Sequence, residues 1–131
     1  MISDDVAQAL ATVKATTPGS FEWAAVVDEL AEAWLRAGEL DHAIATRQAA
    51  VEKLTDTPSL MIDMMHNLGI DLMNRYERTS VEIDLRKACL LAESVYAVAP
   101  HSSRLTAAAT LAGRLSRFAE LPGEQAALNR A

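Results

Sequence analysis

The sequence predicts an all-α fold built from antiparallel helical hairpins. Three observations carry that reading. Apolar residues recur at spacings of three and four along nearly the whole chain. Turn-forming residues cut this pattern into helix-sized lengths, and no stretch alternates with period two for long enough to make a strand. Composition agrees: hydrophobic residues make up 50% of the 131, Ala supplies a large share of them, and aromatics are only 5%. Many small side chains and few rings suit closely packed helices rather than a β-sandwich. The length falls in the range of one domain with one continuous core.

The elements follow in order. Ser3 is placed to cap a first helix reaching about Thr16, with Val6, Leu10 and Val13 on one face and Asp4 and Asp5 in the first turn. Pro18-Gly19 ends it, and Ser20 caps a second helix to about Ala37, where Gly38 supplies a left-handed exit. A third runs from about Asp41 to Leu54, with Ile44, Val51 and Leu54 inward. Thr57-Pro58 then places a proline at the first position of a fourth helix carrying Met61, Met64, Met65, Leu68, Leu72 and Tyr76. Thr79-Ser80 interrupts, a fifth helix runs from about Asp84 to Ala99, and Pro100 stops it. Ser102 or Ser103 is expected to cap a sixth reaching about Phe118. Leu121-Pro122-Gly123 leaves a short seventh to Ala131. Helices joined by such short turns pack antiparallel to their neighbours.

Charge and cysteine content narrow the function. A net charge of −6 with pI near 5.0 argues against a nucleic-acid partner, because phosphate binding needs a basic footprint. Residues 1–57 hold ten acidic and four basic side chains, while residues 58–131 hold eight of each. The acidic half favours a basic partner segment or is simply a solvated face. Cys89 is the only cysteine, so an intrachain disulfide and a cysteine-built zinc site are both excluded. The start of the chain lacks the basic and apolar runs of a signal peptide, and no stretch approaches the roughly 20 apolar residues needed to span a bilayer. The expected compartment is the cytoplasm.

The hairpins also repeat. Leu30-Ala31 is followed by Ala43, a spacing of 13 from Leu30, with Thr55 another 12 on. Leu68-Gly69 is followed by Ala88, and Pro100 lies 12 beyond it. A small residue after the leucine lets the two helices of a hairpin approach, a small residue in the second helix meets it, and proline ends the unit. These landmarks resemble those of tetratricopeptide repeats: Leu30, Ala31, Trp34 and Ala43 in one unit, and Leu68, Gly69, Leu72, Ala88 and Pro100 in the next. A half-unit follows with Leu111, Ala112 and Leu115. In the second unit Leu68 and Ala88 are 20 residues apart, an insertion of seven expected at the hairpin turn. That stretch looks like the longer bacterial repeats often found beside CHAT domains. The resemblance covers roughly residues 21–118. It implies a short right-handed solenoid of six or seven helices forming a single domain over residues 1–131. Residues 1–19 would cap it, residues 20–57 and 58–100 would form two repeats, and residues 101–131 would add a half-repeat and second cap.

The resemblance further implies a protein-interaction module, an adaptor or scaffold, with a concave groove lined by the first helix of each hairpin. Carried onto this chain, the groove positions are Ala25, Asp28, Glu32, Leu35 and Arg36, then Asp63, His66, Ile70, Met73 and Asn74. Thr106, Ala109, Gly113 and Arg117 would join from the sixth helix. Asp28 and Glu32 have the wrong sign for clamping a peptide carboxylate, so a basic or mixed peptide is the expected ligand. A homo-oligomer whose groove is filled by its own copy is the alternative. A small all-α enzyme or ligand carrier using Asp63, His66 and the methionines is a third. Asp63 precedes His66 by one turn, an arrangement found in metal and acid–base sites. Yet His42 and His101 are not at ligand spacing from it, and no nucleophile elbow or phosphate-cradling loop is present. The sequence therefore predicts no catalytic residue, metal or cofactor. Methionines at this spacing are read first as core filling and second as an adaptable surface.

Overall fold

In the computed structural model, which describes residues 2–121, the first two helices begin on a side-chain cap. α1 (Asp4–Lys14) is capped by Ser3, whose Oγ accepts from the Val6 N–H at 3.2 Å. α2 (Phe21–Arg36) is capped in the same way by Ser20, which accepts from the Trp23 N–H at 3.1 Å. Its far end closes as a Schellman motif: Gly38 takes φ +77°, its N–H bonds the Leu35 carbonyl, and the Glu39 N–H reaches back to that of Trp34. α3 (Leu40–Lys53) follows directly. Trp34 stacks on His42 across this turn, with ring centroids 4.3 Å apart.

α4 (Pro58–Thr79) has 22 residues, and α5 (Glu82–Val98) has 17. Only Ser80 and Val81 separate them, so the seven extra residues of the second hairpin do not form a long turn. They lengthen the helices, α4 above all, which exceeds the 16 residues of α2. The expected cap at Ser102 or Ser103 is also replaced. A single 3₁₀ turn, His101–Ser103, leads into α6 (Arg104–Ala119), and the side chain of Ser103 makes no capping bond. Its N–H instead bonds the Pro100 carbonyl at 2.9 Å, a tight turn that proline's fixed φ favours. The seventh helix expected near Ala131 lies outside the described residues.

The chain, read as one domain from its sequence, divides into two compact units, one of Met1–Asp71 and one beginning at Leu72. In the first, α1 packs on α2 and α2 on α3. Val6 is buried with Leu30 and Ala33, flanked by Leu10, Val13 and Trp34. Trp23, Ala24, Val27, Ala50 and Leu54 form a second cluster, which Met64 joins from the start of α4. The small residues at the hairpin landmarks, Ala31 and Ala43, are wholly buried. In the second unit α5 packs on α6, and Leu85, Cys89 and Leu121 form a core with Met73, Tyr76 and Phe118 against it. Ala88 is wholly buried too. Ala112 and Leu115 of the half-unit differ from their counterparts, for both are exposed. Among the described residues there is no strand, and no helix is long and apolar enough to cross a membrane.

Candidate functional site: a cleft on the first unit above a buried ion cluster

The first unit contains a charged centre that the apolar pattern conceals. Leu40, Ala43, Ile44, Arg47, Ala50 and Leu54 fall on the inward stripe of α3 and its C-cap, so Arg47 is carried into the core and is only 1% exposed. A guanidinium there must be matched by acceptors. It donates from Nε and Nη2 to Asp28 Oδ1, from Nη2 to Glu32 Oε1, and from Nη1 to Asp71 Oδ2. Asn67 adds a bond from Nδ2 to the same Asp28 oxygen. Three helices are tied at one point by this cluster. Every buried side-chain nitrogen and oxygen among the described residues has a partner.

Burial works to discharge Arg47, but the hydrogen bonds it donates to Asp71 and Glu32 outweigh it, so its pKa stands above arginine's ordinary value. Burial lifts the Asp71 carboxyl, which Arg47 pulls down only in part because Glu32 and Asp28 repel it. One cation is shared by three carboxylates. Asp71, at 2% exposure, is the one that water cannot help.

Above this cluster, α2 and the first half of α4 leave an open cleft of about 200 Å³. Phe21, Ala25, Leu60 and Met64 supply its apolar surface, while Asp28, Asp63 and Asn67 supply its polar groups. Phe21 is 71% exposed, a large ring left in water beside the cleft. The structure thus brings Ala25, Asp28 and Asp63 together in one depression. It joins Glu32 to Asp28 through Arg47.

The other candidate positions do not line this cleft. Arg36 binds Asp5 and Glu29 on the α1 side of α2, and Leu35 is half-buried. His66 is half-buried on α4, with no hydrogen bond to Asp63, and Ile70 is 42% exposed. In the second unit Met73 packs against the Leu85–Cys89 core, Asn74 is exposed, and Arg117 is paired with Glu77 and Glu120 over the Tyr76 ring. Of the methionines, Met64 is core and Met61 half-covers the same cluster.

Among its described residues the second unit has two buried charges of its own. Asp84 receives a two-pronged bond from Arg75, with both contacts at 2.9 Å. Arg114 donates to the Ala88 carbonyl at 2.9 Å, and burial lowers its pKa, with nearby Cys89 opposing. Burial likewise pushes the Cys89 thiol up, which keeps it protonated and unreactive. Among the described residues no three of His, Cys, Asp or Glu gather as metal ligands. Comparison with family models, curated proteins and solved structures finds no match to this chain.

Proposed function

We propose that the chain is a protein-interaction module of the helical-repeat kind, whose first unit takes a segment of another protein in the cleft between α2 and α4. The observation that carries this reading is the exposed Phe21 beside an apolar depression rimmed by Asp28 and Asp63. Aromatic side chains next to small concave surfaces are the anchors of binding energy when a partner excludes water from them. The resemblance of the repeat landmarks to tetratricopeptide repeats supports an adaptor role. Asp28 and Glu32 favour a basic or mixed peptide over a carboxylate, and their partial engagement with Arg47 leaves that preference weaker but of the same sign. A lone buried cysteine suits a reducing compartment, and the cytoplasm is the one this reading takes.

The test is affinity capture from the source lysate with the natural chain and Phe21→Asp side by side, followed by native mass spectrometry. A polypeptide retained by the natural chain and lost by the variant supports the reading. Equal recovery on both places the partner elsewhere and removes the cleft from the argument.

A second reading, self-association, is favoured by the division of charge. Twelve acidic and four basic residues precede position 72, whereas six acidic and eight basic follow it. Ile83 and Leu90 are also exposed on α5, seven residues apart. Light scattering over a range of concentrations decides it, because an invariant monomer mass leaves no room for the second copy.

A further inference from the structure

Asp28 is held by one oxygen only. All the bonds it accepts fall on Oδ1: from Arg47 Nε at 3.2 Å, Arg47 Nη2 at 2.9 Å and Asn67 Nδ2 at 3.2 Å. Its Oδ2 receives none from a described residue, and the side chain is 37% exposed. The carboxylate is therefore fixed from behind while one oxygen remains available. Asp63 lines the same cleft from α4, is exposed, and pairs with no cation of the described chain. Phe21, Leu60 and Met64 supply apolar surface in the same cleft.

We infer that this cleft takes a single lysine side chain from the partner, its methylenes against Phe21, Leu60 and Met64 and its ammonium held by Asp28 Oδ2 and Asp63. This rests on the reading of the cleft as the partner's site. Three considerations select lysine. A cleft of about 200 Å³ lies below the roughly 300–1,000 Å³ of small-molecule sites and suits one long side chain. An uncharged apolar anchor would cover two carboxylates without matching them, and an acidic one would be repelled. Arginine presents a planar fork that wants both oxygens of one carboxylate, which Asp63 alone offers, so its fork on Asp63 would leave Asp28 Oδ2 unmatched. A compact ammonium needs only single oxygens, so the site matches lysine. Acetylation of that lysine removes its charge, so it releases the partner.

The test uses short helical peptides identical except for one central residue: lysine, N-acetyl-lysine, norleucine or arginine. Binding is followed through the methyl resonances of Met61 and Met64, with the natural chain and with Asp63→Asn. Asp63 is chosen because it is exposed, whereas Asp28 also holds Arg47. The lysine peptide is expected to bind about tenfold more tightly than the acetyl-lysine and norleucine peptides, and Asp63→Asn to lose about the same factor. Norleucine or acetyl-lysine binding as tightly as lysine, arginine binding more tightly, or Asp63→Asn without effect would each overturn the lysine assignment while leaving the partner cleft standing. Absence of methyl shifts with every peptide also overturns the assignment. In that case the Phe21→Asp capture decides whether the cleft reading falls with it.

Discussion

Arg47 occupies a position where the helical period calls for an apolar side chain, and what it does there can be weighed. Its removal deletes one hydrophobic stem and, among the described residues, the only cation facing three carboxylates. Asp28 and Glu32 can turn to water; Asp71 cannot. Breaking a buried pair from one side costs about 3–5 kcal/mol, far more than the loss of packing from a volume-matched change. Arg47→Met is therefore expected to lower stability by about that amount at neutral pH, as measured by urea melts. The sign of the pH dependence follows from Asp71. Burial raises its folded-state pKa, and the variant lacks the guanidinium that opposes this rise. A carboxyl raised on folding contributes stability below its unfolded pKa and loses it as pH rises through the folded value. The variant should thus recover part of its deficit as pH falls from neutrality toward the ordinary carboxylate range. A deficit that stays flat or deepens would place the cost in packing instead. The cluster was legible only in outline. Arg47, Asp71, Asp84 and Arg114 each sit on an apolar stripe at spacings of three and four, and that misfit is the available signal. Which charge meets which depends on how residues 15 to 24 apart on different helices come together, and periodicity does not contain that.

At the scale of the element, boundaries were legible wherever a side chain acts on its own backbone. Ser3, Ser20, Gly38 and Pro100 mark their termini because capping and φ restriction are local. The second hairpin was less legible, since the spacing between landmarks counts residues without saying whether helix or turn absorbs them. Helix absorbs them, and the turn that remains is tight. Ser80 is forced to φ +58° there, the only non-glycine residue in the left-handed region among those described. For an L-residue that conformation costs roughly 1–2 kcal/mol, offset in part by the bond from its N–H to the Tyr76 carbonyl at 2.7 Å. Glycine adopts the same φ freely but gives up more freedom on folding. The strain is the larger of the two, so Ser80→Gly is expected to stabilise the chain by about 0.5–1 kcal/mol. Ser80→Ala, which keeps the Cβ, should not. A calorimetric melt of the three proteins checks this, and equal gains from Gly and Ala would show that the strain is not what limits the turn.

For the whole molecule the question is what α1 contributes, since the sequence reading gives it the role of a cap on the exposed end of a repeat. Two interactions hold it to α2. One is apolar, with Val6 at 0% exposure between Leu30 and Ala33 and with Leu10 and Val13 beside it. The other is ionic, Asp5 with Arg36, in which both side chains are 52% exposed. Solvent screens the second and side-chain entropy opposes it, so its net effect is small even though its geometry is good. The first removes Val6 fully and Leu10 and Val13 partly from water, a full burial contributing roughly 1.5–3 kcal/mol before the entropy of ordering the helix is subtracted. Hydrophobic burial therefore decides how firmly α1 is held to α2. Val6→Ala should cost about 1–2 kcal/mol, Asp5→Asn should leave the melting temperature unchanged, and deletion of residues 1–16 should lower it clearly. The ionic change should matter only in low salt. If the truncated chain melts with the natural one, α1 is an appendage rather than a cap. If Asp5→Asn costs as much as Val6→Ala at physiological salt, charge rather than burial fastens it, and the acidic first turn is then what holds α1 to α2.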